Sequence, residues 1–315
     1  MILPHVLFVV GPTGSGKSDL AVSIAESGAI EGIQNPEIIN CDSVQFFAGV
    51  DIGAAKPGPD LLKRAPHHLV GHLPVGTRYS AGDFQRDALQ VITRGGTYLA
   101  VGGSGFYVQA LEKGMYEVPE VPLEIRSQLA IEVGAPEGLK NLYEELSQRD
   151  PHAARKIASA DRYRILRALE ILRTHPDGTL TEIRARFRTA QPVRPFTFRK
   201  VGVFCSRERL RERIKTRTRQ MLERGLIDEV TRLRGELRAL GLSEWAPLRS
   251  VGYREAQEYL DGVLARDQLE EAIVTSTMQL AKRQMTWFKR DLEIRWFDSS
   301  VSEEAVEFGI SLLTP

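Results

Sequence analysis

The eight residues after the first apolar segment have the types and spacing of a phosphate-binding loop. The pattern G-x-x-x-x-G-K-[ST] is matched at every fixed position by Gly11, Pro12, Thr13, Gly14, Ser15, Gly16, Lys17 and Ser18. Glycines in such a loop let backbone N–H groups point inward around phosphate oxygens, and the lysine adds a positive point charge. The Ser18 hydroxyl is placed to bind Mg²⁺. The motif predicts a phosphate ligand and leaves three reactions open: phosphoryl transfer, nucleoside triphosphate hydrolysis, and displacement of a diphosphate leaving group.

A carboxylate follows the second apolar segment, at the position where open α/β sheets place their ligands. Asp42 comes directly after residues 38–41, so it should emerge at the carboxyl end of a strand, close to the phosphate loop. In a kinase or ATPase such an aspartate binds Mg²⁺ through water or takes a proton from an acceptor hydroxyl. In a group transfer to nitrogen it acts as a general base. A helix-cap or turn role for Asp42 and Ser43 is the competing interpretation.

The elements that must position these residues have the pattern of a parallel α/β core. Short apolar and β-branched runs at residues 6–10, 37–40 and 97–101 predict strands, and residues 19–26 and 83–94 have helical spacing. The distances between the strands suit the crossover connections that parallel strands require. We therefore predict a P-loop NTPase-like parallel sheet.

The pattern changes at about residue 119. Helical segments at residues 123–132, 138–148, 161–173 and 179–188 follow one another without an obvious strand. Residues 196–204 then alternate like a strand and return the chain to the sheet. Further helices are predicted at 207–224, 227–240 and 269–290, followed by a short strand at 293–297 and a terminal helix. The predicted fold class is an α/β core in two parts, 1–118 and 196–315, around an all-helical insertion at 119–195.

The chain of 315 residues has a formal net charge of +1, which by itself favours no charged partner. Hydrophobic residues make up 42% and charged residues 26%, which is typical of a globular protein and argues against a fibrous or disordered chain. The charge is unevenly distributed, because residues 155–200 hold twelve lysines and arginines against four acidic residues. Residues 207–219 hold seven against two. A solvated helical face is one interpretation, but the size of the local excess favours a site for a polyanion.

Cysteine and histidine usage argues against disulfides and metal clusters. Neither Cys41 nor Cys205 lies in a CxxC motif or a Cys/His cluster, which predicts a reducing, cytoplasmic setting. His67 and His68 lack a third ligand at a suitable spacing, so we predict a structural role for them. No apolar run approaches the ~20 residues needed to cross a bilayer, and the apolar first ten residues show no leader pattern. We expect a soluble protein without membrane association.

A further set of motifs runs in order along the chain. They lie at residues 42–45 (DSVQ), 51–57 (DIGAAKP), 66–69 (PHHL), 79–84 (YSAGDF), 101–107 (VGGSGFY), 161–170 (DRYRILRALE), 251–255 (VGYRE) and 281–287 (AKRQMTW). A phosphate loop alone is generic, but this ordered set is specific and extends from residue 11 to about residue 290. Together the motifs resemble the tRNA dimethylallyltransferases, also called tRNA isopentenyltransferases, in their bacterial form.

The resemblance implies a reaction and roles for individual residues. The family transfers a dimethylallyl group from dimethylallyl diphosphate to N6 of adenosine 37, beside the anticodon of tRNAs that read codons beginning with U, and Mg²⁺ assists the release of diphosphate. By this resemblance Asp42 accepts the N6 proton, and Ser104 stands where the family has a threonine that helps to hold the nucleophile. Residues 13–18 hold the diphosphate, and Arg217 matches a family arginine that reaches it. The resemblance also implies nucleotide binding, including ATP binding, at the loop.

The resemblance further implies contacts with the anticodon stem-loop of tRNA. The matching residues are Asp42, Ser43, Val44, Gln45, Ser104, Arg126, Tyr163, Arg164, Ile165, Leu166, Arg167, Arg249, Ser250, Val251, Gly252, Tyr253 and Arg254. The basic excess after residue 155 would then bind stem phosphates. We expect the protein to act as a monomer.

Four positions depart from the family pattern. Ser104 and Ala54 stand where the family usually has threonine, Gly71 where it has aspartate, and Met278 where it has arginine. Ser104 keeps a hydroxyl. Ala54 and Met278 each remove a polar group, which either weakens substrate binding or is offset elsewhere.

Several aromatic residues are interpreted from their local pattern alone. Trp287 and Phe288 stand at the end of a long amphipathic segment and are predicted to be core. Phe106 and Tyr107 either line a prenyl pocket or pack the third crossover, and the sequence does not decide between these.

Three alternative functions stay open at this point. A P-loop kinase of a nucleoside or small metabolite would transfer the γ-phosphate of ATP and would not need a basic helical insertion. An adenylate isopentenyltransferase would prenylate free nucleotide. A non-catalytic RNA-binding protein would use the phosphate loop as a nucleotide sensor and would not depend on Asp42.

Overall fold

The computed structural model describes residues 4–30, 33, 36–115, 121–188, 196–300 and 302–313. Two units make up the chain: Met1–Lys113 together with Arg194–Pro315, and Gly114–Val193. The first unit contains the sheet, and the second is helical.

The first unit is built on a six-stranded sheet in which the strand pairings are parallel. The strands are β1 (His5–Val10), β2 (Glu37–Asn40), β3 (His67–His68), β4 (Thr97–Gly102), β5 (Thr197–Phe204) and β6 (Arg295–Asp298), in the order β3-β2-β4-β1-β5-β6. In the middle of the sheet, Val9 pairs with Val101 on one side and Val201 on the other. The predicted parallel α/β core is confirmed. The sequence pattern misses β3 because two residues are too few to show a period.

Both faces of the sheet are buried, which explains why β1 is a continuous apolar run and not an alternating one. Successive side chains of a strand point to opposite faces. Val6, Phe8 and Val10 accordingly belong to one buried cluster, and Leu7 and Val9 belong to another.

Helices that follow the strands cover these two faces. They are α1 (Lys17–Ile30), α2 (Pro59–Arg64), α3 (Ala81–Ile92) and α4 (Gly105–Lys113). Leu20 and Ile24 of α1 pack in the cluster around Leu7, whereas Phe84 of α3 packs in the cluster around Phe8. The sheet is therefore the central layer of three, and the loops at its carboxyl edge are free to form a site.

In the second unit, the described stretch 121–188 forms α5 (Leu123–Gly134), α6 (Gly138–Arg149), α7 (Pro151–Ala154), α8 (Arg162–Thr174) and α9 (Leu180–Arg188). These helices have a core of their own, with Leu146 and Ile165 fully buried. Asp150 is 1% exposed and accepts hydrogen bonds from the backbone N–H groups of Ala153 and Leu180, each at 2.9 Å. A single carboxylate thus ties the starts of α7 and α9 together. The predicted limits of the insertion, near residues 119 and 195, fall outside the described residues.

After β5 the first unit is mainly helical, with α10 (Arg207–Glu223), α11 (Leu226–Ala239), α12 (Tyr253–Leu260), α13 (Arg266–Phe288) and α14 (Ser302–Ser311). α10 and α13 pack through Leu210, Ile214, Val274 and Ala281. The arginine-rich sequence of α10 therefore hides an apolar stripe at helical spacing. No helix in the described part of the chain is long and apolar enough to span a membrane.

Gly11, where β1 ends, has no room for a side chain. Its φ is +151°, and a Cβ atom there would lie 2.2 Å from the carbonyl oxygen of Val203 in β5. We expect Gly11→Ala to lower the free energy of unfolding by more than about 2 kcal/mol, because the backbone of two adjacent strands must move. Gly95→Ala is the matched control: Gly95 also has a positive φ, +86°, but nothing lies within 4 Å of its Cβ position. We expect about 1 kcal/mol there. Urea unfolding measures both losses, and equal losses would contradict the steric explanation.

Candidate active site

The phosphate loop between β1 and α1 forms one end of a cleft at the carboxyl edge of the sheet. The cleft has a volume of about 390 Å³. Its lining includes Thr13, Lys17, Ser18, Asp42, Gln45, Ala54, Ala55, Pro57, Gly102, Gly103, Arg213, Arg217 and Gln284. All of these residues belong to the first unit. The fold thus brings the predicted phosphate loop, Asp42 and Arg217 to one site.

Three cationic side chains surround the loop. Lys17 Nζ donates to the carbonyl oxygen of Pro12 at 2.8 Å, and the guanidinium of Arg217 donates to Thr13 Oγ1 at 2.9 Å. Arg213 donates to the carbonyl oxygen of Ser15 at 3.2 Å. Arg213 and Arg217 are half-buried members of α10 and stand one helical turn apart. The helix therefore directs two guanidinium groups at the loop, in addition to the lysine that the motif supplies.

Burial of Lys17 and Arg217 makes the cleft suited to an anion. Burial lowers the pKa of Lys17 to about 8, against the opposing effect of the Asp42 carboxylate, and Arg217 adds to the decrease. Burial likewise lowers the pKa of Arg217, while Asp42 opposes that change. Two desolvated cations face one carboxylate, so a bound polyanion would compensate the remaining positive charge.

Asp42 follows β2 and is held in a tight turn. Its backbone N–H donates to Asn40 Oδ1 at 3.0 Å, and its Oδ1 accepts a hydrogen bond from the N–H of Val44 at 3.0 Å. Burial raises the pKa of Asp42, although the hydrogen bond from Val44 and the charges of Lys17 and Arg217 oppose the rise. The turn role and the site role, which are alternatives in the sequence, coexist here: the carboxylate closes the turn and also lines the cleft.

Ser104 lies beside this turn. It follows β4, and its Oγ accepts from the N–H of Ser43 and donates to Ser43 Oγ, each at 3.4 Å. Val101, Gly102 and Gly103, which precede it, line the cleft. Ser104 therefore contacts the Asp42 turn from the side.

Gln284 is a site residue to which sequence reasoning gives no role. Its Oε1 accepts a hydrogen bond from the backbone N–H of Thr13 at 2.8 Å, and its side chain lines the cleft. It comes from α13, 271 positions along the chain from Thr13. The only sequence signal is its place inside the motif at 281–287, which marks the segment without saying which of its residues faces the loop.

Comparisons with known proteins agree with this arrangement. The family model for IPP transferase matches residues 45–291, more than half of the chain. The chain belongs to the IPP transferase family. A tRNA dimethylallyltransferase of Bdellovibrio bacteriovorus is 44% identical over 299 residues, which cover 94% of each chain. The resemblance inferred from the motifs is confirmed.

Solved structures support the same assignment of the IPP transferase fold. Full-length tRNA isopentenylpyrophosphate transferase from Bacillus halodurans is 30% identical with a TM-score of 0.67, covering 98% of this chain and 96% of that one. A eukaryotic dimethylallyltransferase acting on tRNA is 24% identical with a TM-score of 0.75, covering 96% and 78%. The latter comparison shows the shared fold alone.

In this IPP transferase, most side chains predicted to contact tRNA on α8 are accessible. Tyr163 is 78% exposed, Arg164 is also exposed, and Leu166 and Arg167 are half-buried. Ile165 is fully buried in the core of the second unit. Its side chain therefore offers no surface to RNA, because one residue in the middle of an amphipathic helix turn must face inward. Contact of the stretch 163–167 with RNA stays a prediction. Arg126 on α5 is half-buried.

The second stretch of the IPP transferase predicted to contact RNA, residues 249–254, likewise contains both exposed and buried side chains. Arg249 and Arg254 are exposed, and Ser250 and Val251 are half-buried. Tyr253 is 0% exposed, and its hydroxyl donates to Glu229 at 2.6 Å. The Tyr253 side chain therefore offers no surface to RNA, and contact of the stretch 249–254 with RNA stays a prediction.

An exposed face of α13 adds basic residues that the predicted RNA contacts omit. Lys282, Arg283, Thr286 and Arg290 line a shallow depression together with Trp287. Trp287 is 42% exposed, so the prediction that it is core is wrong, whereas Phe288 is buried at 3% as predicted. Successive residues of a helix face directions about 100° apart, which explains how two adjacent aromatic residues can have different environments.

The other aromatic and histidine residues singled out in the sequence lie outside the cleft, except His67, which is part of its lining and contacts the carbonyl oxygen of Ala65 at 2.8 Å. Tyr107 packs against Phe46 and Phe84, and neither Tyr107 nor the half-exposed Phe106 lines the cleft. His68 contacts Glu37 at 2.6 Å. Among the described residues no group of three or more His, Cys, Asp or Glu side chains could hold a metal ion.

Two of the departures from the family pattern, Met278 and Gly71, have local explanations. Met278 packs against the apolar contact between α10 and α13. Gly71 has a φ of +60°, a left-handed conformation that favours glycine, and its N–H donates to the carbonyl oxygen of Gln45. The backbone N–H of Ala54 donates to Tyr253 Oη at 3.2 Å. Met278 and Gly71 thus fit their surroundings, whereas any residue at position 54 would make this backbone hydrogen bond, so nothing in the structure explains Ala54.

Proposed function

We propose that the protein transfers a dimethylallyl group from dimethylallyl diphosphate to N6 of adenosine 37 in tRNAs that read codons beginning with U. The observation that carries this proposal is that Lys17, Arg217 and Asp42 line one cleft in a member of the IPP transferase family. Two cations suit a diphosphate, and a carboxylate with a raised pKa suits a base for a nitrogen nucleophile. The cleft residues come from one chain, so we propose that a monomer acts, in the cytoplasm.

The reaction replaces one bond to the allyl carbon by another. The lone pair of the adenine amine is delocalised into the ring, so N6 attacks effectively only as its proton leaves. Asp42 takes that proton while the N–C bond forms and the C–O bond to diphosphate breaks. A carboxylate whose pKa is raised holds the proton better than an exposed aspartate would.

Diphosphate leaves readily only when its developing charge is neutralised. Lys17 and Arg217 are already held at the loop by hydrogen bonds, so they would stabilise the leaving group with little reorganisation. Enclosure of the allyl group by Ala54, Ala55 and Pro57 would keep water from the developing cation.

The residues of the loop also fit Mg²⁺. Mg²⁺ prefers one or two protein oxygens together with substrate phosphates and water, and it does not need a cage of several carboxylates. The Ser18 hydroxyl is exposed in the cleft next to Lys17 and would hold the ion. When bound with the diphosphate, Mg²⁺ supplies additional neutralisation of its charge.

Exposed basic side chains on three helices support RNA as the acceptor. They are Arg162 and Arg164 on α8, Arg207, Arg209 and Arg211 on α10, and Lys282 and Arg283 on α13. Such side chains bind phosphates of an anticodon stem-loop and release counterions. The target base must leave its stack, at a cost of about a few kcal/mol, before N6 can enter a cleft.

Salt dependence tests the predicted RNA surface on α8. Arg164 pairs with Asp161 and Arg167 pairs with Glu170, each three residues along the helix. We expect the variant Arg164→Gln/Arg167→Gln to flatten the plot of log affinity against log salt by about one unit for each phosphate that the protein no longer neutralises. Arg86→Gln is the control, since Arg86 forms the same kind of pair with Asp83 in the first unit. An unchanged slope in the double variant would place the RNA-binding surface elsewhere.

Mass analysis of nucleosides tests the proposed function directly. We expect an anticodon stem-loop incubated with the protein, dimethylallyl diphosphate and Mg²⁺ to yield N6-dimethylallyladenosine at position 37 only. Excess AMP should not compete, which separates this activity from adenylate prenylation. Consumption of ATP with a small acceptor, with the stem-loop left unmodified, would overturn the proposal.

A further inference from the structure

One wall of the cleft is formed by the loop at residues 51–57, and side chains of α11 and α12 hold this loop in place. Ala54, Ala55 and Pro57 line the cleft, whereas the backbone N–H groups of the preceding residues, 51–53, point to Glu229 of α11. A loop in this position is ordinarily mobile unless its backbone polar groups find partners. The partners here are two buried side chains that do not line the cleft.

Glu229, in the first turn of α11, binds three consecutive backbone N–H groups of the loop. Its carboxylate accepts from Asp51 N at 3.1 Å, Ile52 N at 2.9 Å and Gly53 N at 3.1 Å. The residue is 7% exposed. Hydrogen bonds to an ionised carboxylate are stronger than bonds between neutral groups, so three of them from consecutive residues hold the loop against the helix.

Tyr253, the first residue of α12, holds the same loop, and we call Glu229 and Tyr253 together the clamp. Its hydroxyl donates to Glu229 Oε1 at 2.6 Å and accepts from the backbone N–H of Ala54 at 3.2 Å. The ring lies so close to Gly53 that a Cβ atom there would be 2.5 Å from it. Burial and the Glu229 carboxylate raise the pKa of Tyr253, so its hydroxyl keeps the proton that it donates.

The clamp continues into the residues that form the site. Gln45 Nε2 donates to the carbonyl oxygens of Ala54 and Ala55, at 3.1 and 3.2 Å. The backbone N–H of Gln45 in turn donates to the carbonyl oxygen of Asp42 at 3.3 Å. Ala55 has a φ of +48°, a conformation that a residue other than glycine keeps only when its surroundings impose it. A continuous path of contacts therefore runs from Glu229 to the turn that holds Asp42.

We propose that Glu229 and Tyr253 are positioning residues that set the cleft wall at 54–57 and, through Gln45, the placement of Asp42. The inference rests on the proposed function, because it assigns Asp42 a role in the transfer. Lys17 and Arg217 hold their own contacts with the phosphate loop and do not touch the clamp. Loss of the clamp should consequently impair turnover and leave the hold on diphosphate unchanged.

Tyr253→Phe and Glu229→Gln test this role with minimal change of shape. Tyr253→Phe keeps the ring and removes only the hydroxyl. We expect each variant to lower kcat for the stem-loop by at least about tenfold, because displacement of a catalytic group by a fraction of an ångström is sufficient for that loss. The affinity for inorganic diphosphate, which lacks the allyl group that residues 54–57 would enclose, should change by less than about twofold.

Glu112→Gln is the matched control. Glu112 is also a buried carboxylate, 8% exposed, but it pairs with Lys200 at 2.8 Å and does not line the cleft. Assays run where all variants are folded should show near wild-type kcat for Glu112→Gln. Wild-type kcat in Tyr253→Phe, or equal losses in Glu229→Gln and Glu112→Gln, would overturn the positioning role. An inactive wild-type protein would instead overturn the proposed function, and the inference with it.

Discussion

Asp42→Asn should lower kcat for prenyl transfer by at least about 100-fold, the low end of the contribution of a general base. Asparagine keeps an oxygen that can accept the hydrogen bond from Val44 N, so the turn after β2 should survive. The amide cannot take the proton from N6. RNA affinity should therefore be retained while single-turnover transfer is slow. A variant that binds the stem-loop and still turns over at the wild-type rate would remove Asp42 from the mechanism.

The pH dependence of the transfer rate distinguishes loss of the general base from a change in the geometry of the site. Burial raises the pKa of Asp42, so the wild-type rate should fall as the pH is lowered through a value above the ordinary aspartate pKa of about 3.9. Protonated Asp42 cannot accept another proton, which gives the sign of this dependence. The residual rate of Asp42→Asn should lack that acid limb. Persistence of the same limb in the variant would assign it to another group.

Arg217→Met should lower kcat about 10²- to 10³-fold, the range for removal of one preorganised group that stabilises developing charge. Arg217 is held at Thr13 Oγ1 by a 2.9 Å hydrogen bond and lines the cleft. Methionine preserves much of the side-chain volume and packing on α10 but removes the charge. The C–O bond to diphosphate would then break with less compensation. The measurement is kcat at saturating RNA and saturating dimethylallyl diphosphate.

Two companion variants make the Arg217 result specific. Arg211→Met removes an arginine from the same helix, but Arg211 is exposed and pairs with Glu271 at 2.6 Å, so kcat at saturating RNA should stay near the wild-type value. Arg217→Lys retains a charge and should recover part of the loss. Equal losses of kcat in Arg211→Met and Arg217→Met would assign the effect to the helix and not to the guanidinium in the cleft.

Features that depend on residues close together in the sequence could be predicted well. The phosphate loop depends on eight neighbouring residues, and the strand before it and the helix after it are both visible as local patterns. Asp42 is equally accessible to prediction because the residues preceding it are a buried strand, and the ends of parallel strands meet at one edge. These features require no knowledge of distant contacts.

Features that depend on distant contacts could not be predicted. Gln284 reaches Thr13 only because α13 packs on α10 beside the loop, which no local pattern encodes. Tyr253 is followed in the sequence by Arg254 and Glu255, yet tertiary packing buries it completely. Trp287 and Phe288 are adjacent and equally apolar, so only the position of the neighbouring helices decides which of them is exposed. The family resemblance identified these segments but did not give the orientation of each side chain.

Helix α13 has 23 residues and is therefore about 34 Å long. Gln284 contacts the phosphate loop from one side of this helix, and Lys282 and Arg283 stand on its exposed side. An RNA bound on the exposed side of α13 and a diphosphate bound in the phosphate loop would both be in contact with this one helix or with residues that it holds. Thermodynamic reciprocity then applies: whatever factor the diphosphate imposes on RNA affinity, the RNA must impose on diphosphate affinity. The order in which the RNA and the diphosphate bind does not change the equality of these two factors.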